Sequence, residues 1–180
     1  KDREVEAAKA RARAAERYRV LDSGAVAISG TTIVAVGPEA EIKKDYVAKE
    51  TFDCGGKVLM PGLVNAHTHV PMTLLRGIAD DLRLDVWLQG YMWPVEREFV
   101  SPDFVRLGTQ IACAELIKTG VTTFNDMYFF EEDVAKATAD AGLRAVCGQS
   151  VLKFPTSDAP SYEDGLERAR DYIKRWKGHD

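Results

Sequence analysis

The pattern of hydrophobic and polar positions changes twice along the chain. Residues 1–17 are Ala or charged except Val5, which predicts a solvated or loosely docked helix with almost no apolar stripe. Two runs of mainly β-branched and small residues, 25–28 and 32–36, then flank a Gly-containing turn and predict a β-hairpin. We assign residues 18–57 to part of a small β domain.

From residue 58 onward, strand-like and helix-like segments alternate. The predicted strands cover residues 63–66, 121–124 and 143–151, the first of them buried, and the predicted helices cover 102–119, 131–141 and 162–176. Ser101 provides an N-cap before Pro102, and Gly120 and Gly142 follow two of the helix ends. Repeated βα units predict an α/β fold with a parallel sheet, either open and doubly wound or the beginning of a barrel.

Chain length limits this choice. The sequence has 180 residues, whereas a closed (β/α)₈ barrel takes about 250. We therefore expect about three βα units and exclude a complete barrel in this chain alone.

Composition narrows the classes of partner and location. With 24 Lys and Arg against 28 Asp and Glu, the net charge of −4 gives no general attraction to nucleic acid or to anionic membranes. Cys54, Cys113 and Cys147 are odd in number and far apart, which favours a reducing compartment, and we interpret the last two as buried small hydrophobes. The sequence shows no signal peptide and no long apolar stretch, so we expect a cytoplasmic protein.

Candidate chemistry lies in residues 61–69, where His67 and His69 are separated by one residue. Side chains at positions i and i+2 of a strand face the same way, so both imidazoles can point at one metal ion. Two neutral imidazoles suit zinc or a similar divalent metal. The alternative is a pair of surface or core histidines.

Residues 60–69, Met-Pro-Gly-Leu-Val-Asn-Ala-His-Thr-His, resemble the first-strand metal motif of the amidohydrolase superfamily. The segments that narrow the resemblance are 72–77, 80–81, 87–89, 93–96 and 124–129. With them the chain is similar to the 5-methylthioadenosine/S-adenosylhomocysteine deaminases over about residues 18–180.

The resemblance implies a partial (β/α)₈ TIM barrel, residues 58–180, beside part of a small β-sandwich that such proteins build from both chain ends. It assigns His67 and His69 as the first two ligands of one Zn²⁺, or another divalent metal such as Fe²⁺, per complete site. The other ligands and the proton-shuttling glutamate of the family fall on later strands, beyond residue 180. No catalytic residue is therefore expected within this chain, which should hold metal weakly and be inactive alone.

The implied reaction is hydrolytic deamination of a purine nucleoside by a metal-activated water. By resemblance, Trp87 would pack on the substrate and Glu96 would accept hydrogen bonds from the ribose hydroxyls, for which a carboxylate is chemically suited. Trp87 as part of an apolar cover and Glu96 as a surface acid remain open. Both lie within residues 70–100, too long for an ordinary βα connection and so expected to be functional or to carry its own structure.

Four weaker candidates remain. Asp126 ends the second strand, where it could be functional but more commonly caps a turn. Arg76 could reach a substrate, although an ion pair with Asp80 or Asp81 is the commoner role. Gln149 stands near the position of a substrate-binding arginine in some relatives, and His179 is expected in a loop, not as a ligand.

Two other functions stay open. A related amidohydrolase could act on guanine or a triazine, and Glu96 would matter little for a substrate without ribose. A chain of another class, a non-catalytic assembly fragment, natural or engineered, could use residues 1–17 to join a second chain. Open βα units expose sheet edges, so we expect a complementary chain or a homo-oligomer as partner, besides the small-molecule nucleoside.

Overall fold

A computed structural model describes Val5 and residues 20–179. The helix predicted over residues 1–17 therefore lies, Val5 excepted, outside the described residues. The chain divides into two compact units, Lys1–Leu59 and Met60–Asp180, which are described separately.

The first unit contains the predicted hairpin. Strand β1 (Gly24–Ser29) pairs antiparallel with β2 (Thr32–Pro38). Gly30 in the connecting turn has a φ of 60°, a conformation that favours glycine. A helix that the hydrophobic pattern did not indicate, α1 (Glu39–Asp45), follows directly, with acidic residues in its first turn and lysines in its last.

The second unit begins with β3 (Leu63–Thr68), which leads into a long connection. As expected, this connection carries its own structure. Its parts are a 3₁₀ helix (Val70–Leu75), α2 (Leu84–Trp87), a π-helical turn (Leu88–Met92) and α3 (Trp93–Phe99).

Three alternating helices and two strands complete this unit. In chain order they are α4 (Pro102–Lys118), β4 (Val121–Tyr128), α5 (Glu131–Ala141), β5 (Arg144–Gln149) and α6 (Tyr162–Trp176). The strands form a parallel sheet in the order β3, β4, β5. Consecutive strands are thus neighbours, joined by helical crossovers, as in successive units of a (β/α)₈ barrel.

The helix ends at Ser101 and Gly142 follow the predicted signals, and Ser161, which the sequence analysis did not single out, caps α6. Ser101 Oγ accepts a hydrogen bond from Phe104 N at 3.3 Å at the start of α4. Ser161 Oγ does the same for Asp164 N at 3.1 Å at the start of α6. Gly142, with a φ of 75°, ends α5 in the left-handed conformation.

Strand β3 is the one element whose burial the sequence analysis predicted wrongly. Leu63 and Val64 are 48% and 67% exposed. Their apolar character predicted a buried strand, but β3 is the outer strand of the sheet and pairs with β4 only. It therefore presents an open edge among the described residues.

The core lies where α4, β4 and α5 meet. Val105, Phe124 and Val134, one from each element, are completely buried. Cys113 joins them, whereas Cys147 is only partly buried, and all three cysteines of the sequence, each within the described range, are free thiols. Among residues that the structure describes, no helix is both long and apolar enough to span a bilayer.

Candidate metal centre

The two histidines converge at the end of β3. Their Nε2 atoms lie 3.3 Å apart, and the ring planes are inclined by 83°. His67 is the penultimate residue of β3 and His69 follows the strand as the N-cap of the 3₁₀ helix. The structure therefore brings the predicted pair together.

The backbone pairing that leads to this arrangement is less regular than the alternation of side chains along a strand implies. Asn65 pairs with Phe124 and Thr68 with Asp126, so β3 has one more residue than β4 between these pairs. Such a bulge re-aims the side chains beside it. It lies at Ala66 and His67, and no local sequence signal marked it.

Hydrogen bonding orients one ring. His69 Nδ1 donates to the carbonyl oxygen of Met127 on β4 at 2.6 Å. This contact assigns the proton to Nδ1 and leaves the Nε2 lone pair free, which is the tautomer of a histidine that binds metal through Nε2.

The pair fits a tetrahedral divalent metal. Two ligand nitrogens at the usual Zn–N distance of about 2.0–2.1 Å, separated by the tetrahedral angle, stand about 3.3–3.4 Å apart. The observed separation of 3.3 Å agrees. Within residues 20–179, no group of three or more His, Cys, Asp or Glu side chains is placed to hold a metal, so the described chain offers two ligands.

Glu96 is a buried acid and not the surface acid of the alternative interpretation. It is 7% exposed, and its Oε1 accepts a hydrogen bond from Tyr128 Oη at 2.8 Å. Burial raises the pKa of Glu96, whereas the Tyr128 hydroxyl and nearby His69 act in the opposite direction. Its backbone carbonyl accepts from Ser157 Oγ at 2.8 Å, which ties α3 to the loop after β5.

Trp87 belongs to a separate hollow. It lines an open cavity of about 280 Å³ together with Met72, Leu75, Arg76 and Met92, among others. The cavity wall is mainly apolar, which agrees with an apolar cover and also with a place for a flat ring. The structure thus pairs Glu96 with Tyr128 through a hydrogen bond, and Glu96 is not among the residues that line the cavity of Trp87.

Asp126 is the residue whose setting the sequence analysis underestimated. It is 1% exposed, and its Oδ1 accepts hydrogen bonds from Thr68 Oγ1 and Val70 N, both at 2.7 Å. It caps the turn after β3 from the neighbouring strand. The capping interpretation is therefore correct, but over a separation of 56 residues instead of locally.

A second buried acid, Glu131 at the start of α5, stands beside Asp126. Glu131 is completely buried, and neither of its carboxyl oxygens nor Asp126 Oδ2 has a hydrogen-bond partner among the described residues. Burial, reinforced by the charge of Asp126, raises the pKa of Glu131 to about 9. Burial therefore favours the neutral form at both of these acids.

Tyr128 and Glu131 were both missed by sequence reasoning. The alternation along β4 could have found the first, because Phe124, Asp126 and Tyr128 are buried while Asn125 and Met127 are exposed. An acid in the first turn of a helix is usually an exposed dipole partner, so nothing local distinguished Glu131.

The weaker candidates take structural roles. Arg76 pairs with Glu115 on α4, its Nη1 and Nη2 donating at 3.0 and 2.7 Å, so the expected partners Asp80 and Asp81 are wrong. Packing brings the carboxylate of Glu115, which is 39 residues away in the sequence, next to the Arg76 guanidinium. Gln149 donates to the buried Asp158 at 2.8 Å, and His179 packs against Trp176 after α6.

The class of protein follows from these features together with the matching family profile. The profile of the amidohydrolase family matches residues 58–180, and the chain belongs to this family. Residues 24–46 match a second profile, the imidazolonepropionase-like composite domain of bacteria. The fold is accordingly α/β, with the first units of a partial (β/α)₈ barrel.

Individual proteins of this family resemble the chain more specifically. A 5-methylthioadenosine/S-adenosylhomocysteine deaminase of Syntrophobacter fumaroxidans is 49% identical over 88% of this chain and 36% of its own length. One of Thermodesulfovibrio yellowstonii is 45% identical over 90% and 37%. An adenosine deaminase structure from Xanthomonas campestris with bound zinc aligns with a TM-score of 0.86 at 44% identity, covering 91% of this chain and 37% of that one. The chain thus spans little more than a third of these relatives.

Proposed function

We propose that this chain is the N-terminal part of a metal-dependent hydrolase that deaminates adenosine-type nucleosides of the methylthioadenosine and S-adenosylhomocysteine class. The observation that carries the proposal is the imidazole pair, with Nε2 atoms 3.3 Å apart and one ring oriented through its Nδ1. The names of relatives 45–49% identical over most of this chain support the substrate class.

His67 and His69 would hold the metal through Nε2. Zinc is the first candidate because it is bound in the Xanthomonas campestris structure, and another divalent ion such as Fe²⁺ suits the same donors. The ion, when bound, supplies an activated water for hydrolysis near neutral pH. The third ligand and the proton-shuttling glutamate are expected outside residues 1–180, so the chain alone should be inactive.

Glu96 is proposed to bind the ribose. Tyr128 donates to Oε1, which fixes the carboxylate rotamer, and Oε2 has no donor among residues 20–179. A free carboxylate oxygen can accept hydrogen bonds from sugar hydroxyls. Trp87 is proposed to pack on the substrate from the apolar wall of its cavity.

The remaining assignments are proposals of the same kind. Residues 18–57 would form part of a small β-sandwich domain and residues 58–180 the first barrel units. A complementary chain or a second copy would supply a strand that pairs with the open sheet edge of β3. Free thiols favour a reducing compartment such as the cytoplasm.

The test is an assay of the reassembled protein. The chain is combined with the remaining two thirds of the Syntrophobacter fumaroxidans relative and with Zn²⁺, and ultraviolet absorbance follows conversion of each substrate. We expect turnover of methylthioadenosine and S-adenosylhomocysteine above that of guanine or a triazine. Turnover of guanine or a triazine alone would contradict the nucleoside assignment, and a zinc-loaded assembly that converts no substrate would contradict the deaminase assignment.

A further inference from the structure

The carboxylate of Asp126 holds the chain on both sides of His69. Its Oδ1 accepts from Thr68 Oγ1 and from Val70 N, each at 2.7 Å. These residues are the two sequence neighbours of His69. We propose that Asp126 is a positioning residue that fixes the His69 imidazole for metal binding, an inference that rests on the proposed function because it takes the histidine pair as ligands.

The irregular pairing of β3 explains why a side chain is needed here. Regular ladder pairing is interrupted between Asn65 and Thr68, so backbone hydrogen bonds alone do not set the strand end. Asn125 contributes at the same level, since its carbonyl oxygen, 2.9 Å from Thr68 Oγ1, shares the single hydroxyl proton with Asp126 and its Nδ2 donates to Ala66 O at 3.1 Å. Asp126 supplies the contacts that lie nearest to His69.

The next residue of β4 acts on the ring itself. Met127 O accepts from His69 Nδ1 at 2.6 Å. Asp126 therefore fixes the backbone around His69 while its neighbour fixes the ring orientation. Loss of the Asp126 contacts would let the backbone of His69 move relative to Met127 and would loosen both the ring and its Nε2.

The contacts of Asp126 are shielded from water. Asp126 is 1% exposed, so water does not compete with the two donors to Oδ1. Both donors stand at the short distance typical of charge-assisted hydrogen bonds. The other oxygen, Oδ2, has no hydrogen-bond partner among the described residues, so the two contacts of Oδ1 are those that hold this side chain.

The experiment uses the 180-residue chain and Co²⁺ alone as the probe. Binding is followed by the visible absorption of the bound Co²⁺ and by paramagnetic broadening of the NMR signals of the chain. Asp126→Leu, which keeps a similar volume, should raise the Co²⁺ dissociation constant about 10- to 100-fold, the usual effect of losing an outer partner of a metal ligand. Asp126→Asn, which keeps an Oδ1 acceptor, should restore binding. Asp140→Leu, on the exposed side of α5, is the matched control and should bind as the native chain does.

Amide exchange at Val70 gives a second readout that needs no metal. It should accelerate at least tenfold in Asp126→Leu and remain slow in Asp126→Asn. Should Asp126→Leu not fold, Thr68→Val decides, since it removes the hydroxyl contacts with Asp126 Oδ1 and Asn125 O and leaves the contact between Val70 N and Asp126. It should weaken Co²⁺ binding in the same direction by a smaller factor, and unchanged binding would overturn the proposal.

Failure of this inference is distinguishable from failure of the proposed function. A His67→Ala/His69→Ala variant that binds Co²⁺ like the native chain would contradict the metal pair itself, and the role of Asp126 would fall with it. Binding that requires the histidines but stays within twofold of native in folded Asp126→Leu would overturn the positioning role alone.

Discussion

At the scale of single residues, three of the buried acids differ in their hydrogen-bond donors. Glu96 has a hydroxyl donor in Tyr128, and Asp126 has two donors at 2.7 Å. Glu131 has no donor to either carboxyl oxygen among the described residues. Burial accordingly raises the pKa of Glu131 to about 9, and the charge of Asp126 acts in the same direction.

Replacement of Glu131 should change how stability depends on pH. Its pKa is about 9 in the folded chain and 4.5 for an ordinary glutamate, so its contribution is complete below about pH 4.5 and is lost as pH rises toward 9. Glu131→Gln stays neutral throughout, and we expect a flatter decline of the free energy of unfolding. Urea unfolding at pH 5, 7 and 9 measures the difference.

The groups that face Glu131 set the residual slope. They are Asp126 on β4, Cys147 on β5 and Tyr172 on α6, and burial raises the pKa of each. Glu167→Gln, on the exposed side of α6, is the control and should keep the native slope. If the free energy of unfolding depended on pH equally in the native and Glu131→Gln chains, the raised pKa of Glu131 would be refuted.

Replacement of Glu96 should affect ribose recognition. In the reassembled enzyme, Glu96→Gln loses a charged acceptor, and a hydrogen bond to a charged group contributes about 1.5–3 kcal/mol. We expect kcat/KM for methylthioadenosine to fall roughly 10- to 150-fold, as that free energy implies. Steady-state kinetics provides the measurement.

The control is Glu98→Gln, an exposed acid on the same helix, which should retain native kinetics. A substrate without ribose should be insensitive to either change. If Glu96→Gln and the native enzyme had equal kinetics on nucleosides, the proposal that Glu96 binds the ribose would be contradicted.

Sequence reasoning at this scale found residues whose chemistry shows in their neighbours along the chain. His67 and His69 are two residues apart, so strand geometry suggested a shared ion. The contact of Asp126 with Val70 spans 56 residues, and that of Tyr128 with Glu96 spans 32. Such pairs depend on the register of β3 and β4, including a bulge, which no local pattern specifies.

At the scale of elements, the segment after His69 depends on close packing against α4. A Cβ added at Gly108 would lie 2.4 Å from Pro71 O and 2.9 Å from Pro71 Cα. Backbone atoms cannot yield at so short a distance, so the glycine permits the 3₁₀ helix to approach α4. The packing of this helix thus sets the course of the chain after the strand end that carries His67 and His69.

Gly108→Ala should therefore destabilise the chain. Overpacking costs about 1–3 kcal/mol, which outweighs the gain of about 1 kcal/mol in helix propensity. We expect a net loss of up to about 2 kcal/mol in the free energy of unfolding, measured by urea titration. Gly90→Ala, where an added Cβ meets nothing within 4 Å, should be neutral or stabilising, and equal stability of the two variants would contradict this packing.

Element boundaries were predictable where their signals are local. The ends of α4, α5 and α6 follow from Ser101, Gly142 and Ser161, whose side chain or backbone conformation acts within a few residues. The burial of β3 was not predictable. Its apolar residues satisfy a buried pattern, yet exposure depends on which strand pairs with its other edge.

At the scale of the whole molecule, the chain spans 36–37% of the relatives and contains three parallel strands of a barrel. Two imidazoles without a third protein ligand bind a metal weakly, since a catalytic zinc site has three protein ligands and an open position. The incomplete barrel and the incomplete ligand set are thus consistent with each other. Activity should depend on the residues that complete both.

The most direct test of this account is ammonia release from methylthioadenosine by the reassembled enzyme with and without Zn²⁺. We predict that release requires both this chain and the metal, and that His67→Ala/His69→Ala reduces it to the rate of the metal-free mixture. Undiminished, zinc-independent release by the double variant would contradict the central claim that this histidine pair is part of the metal site.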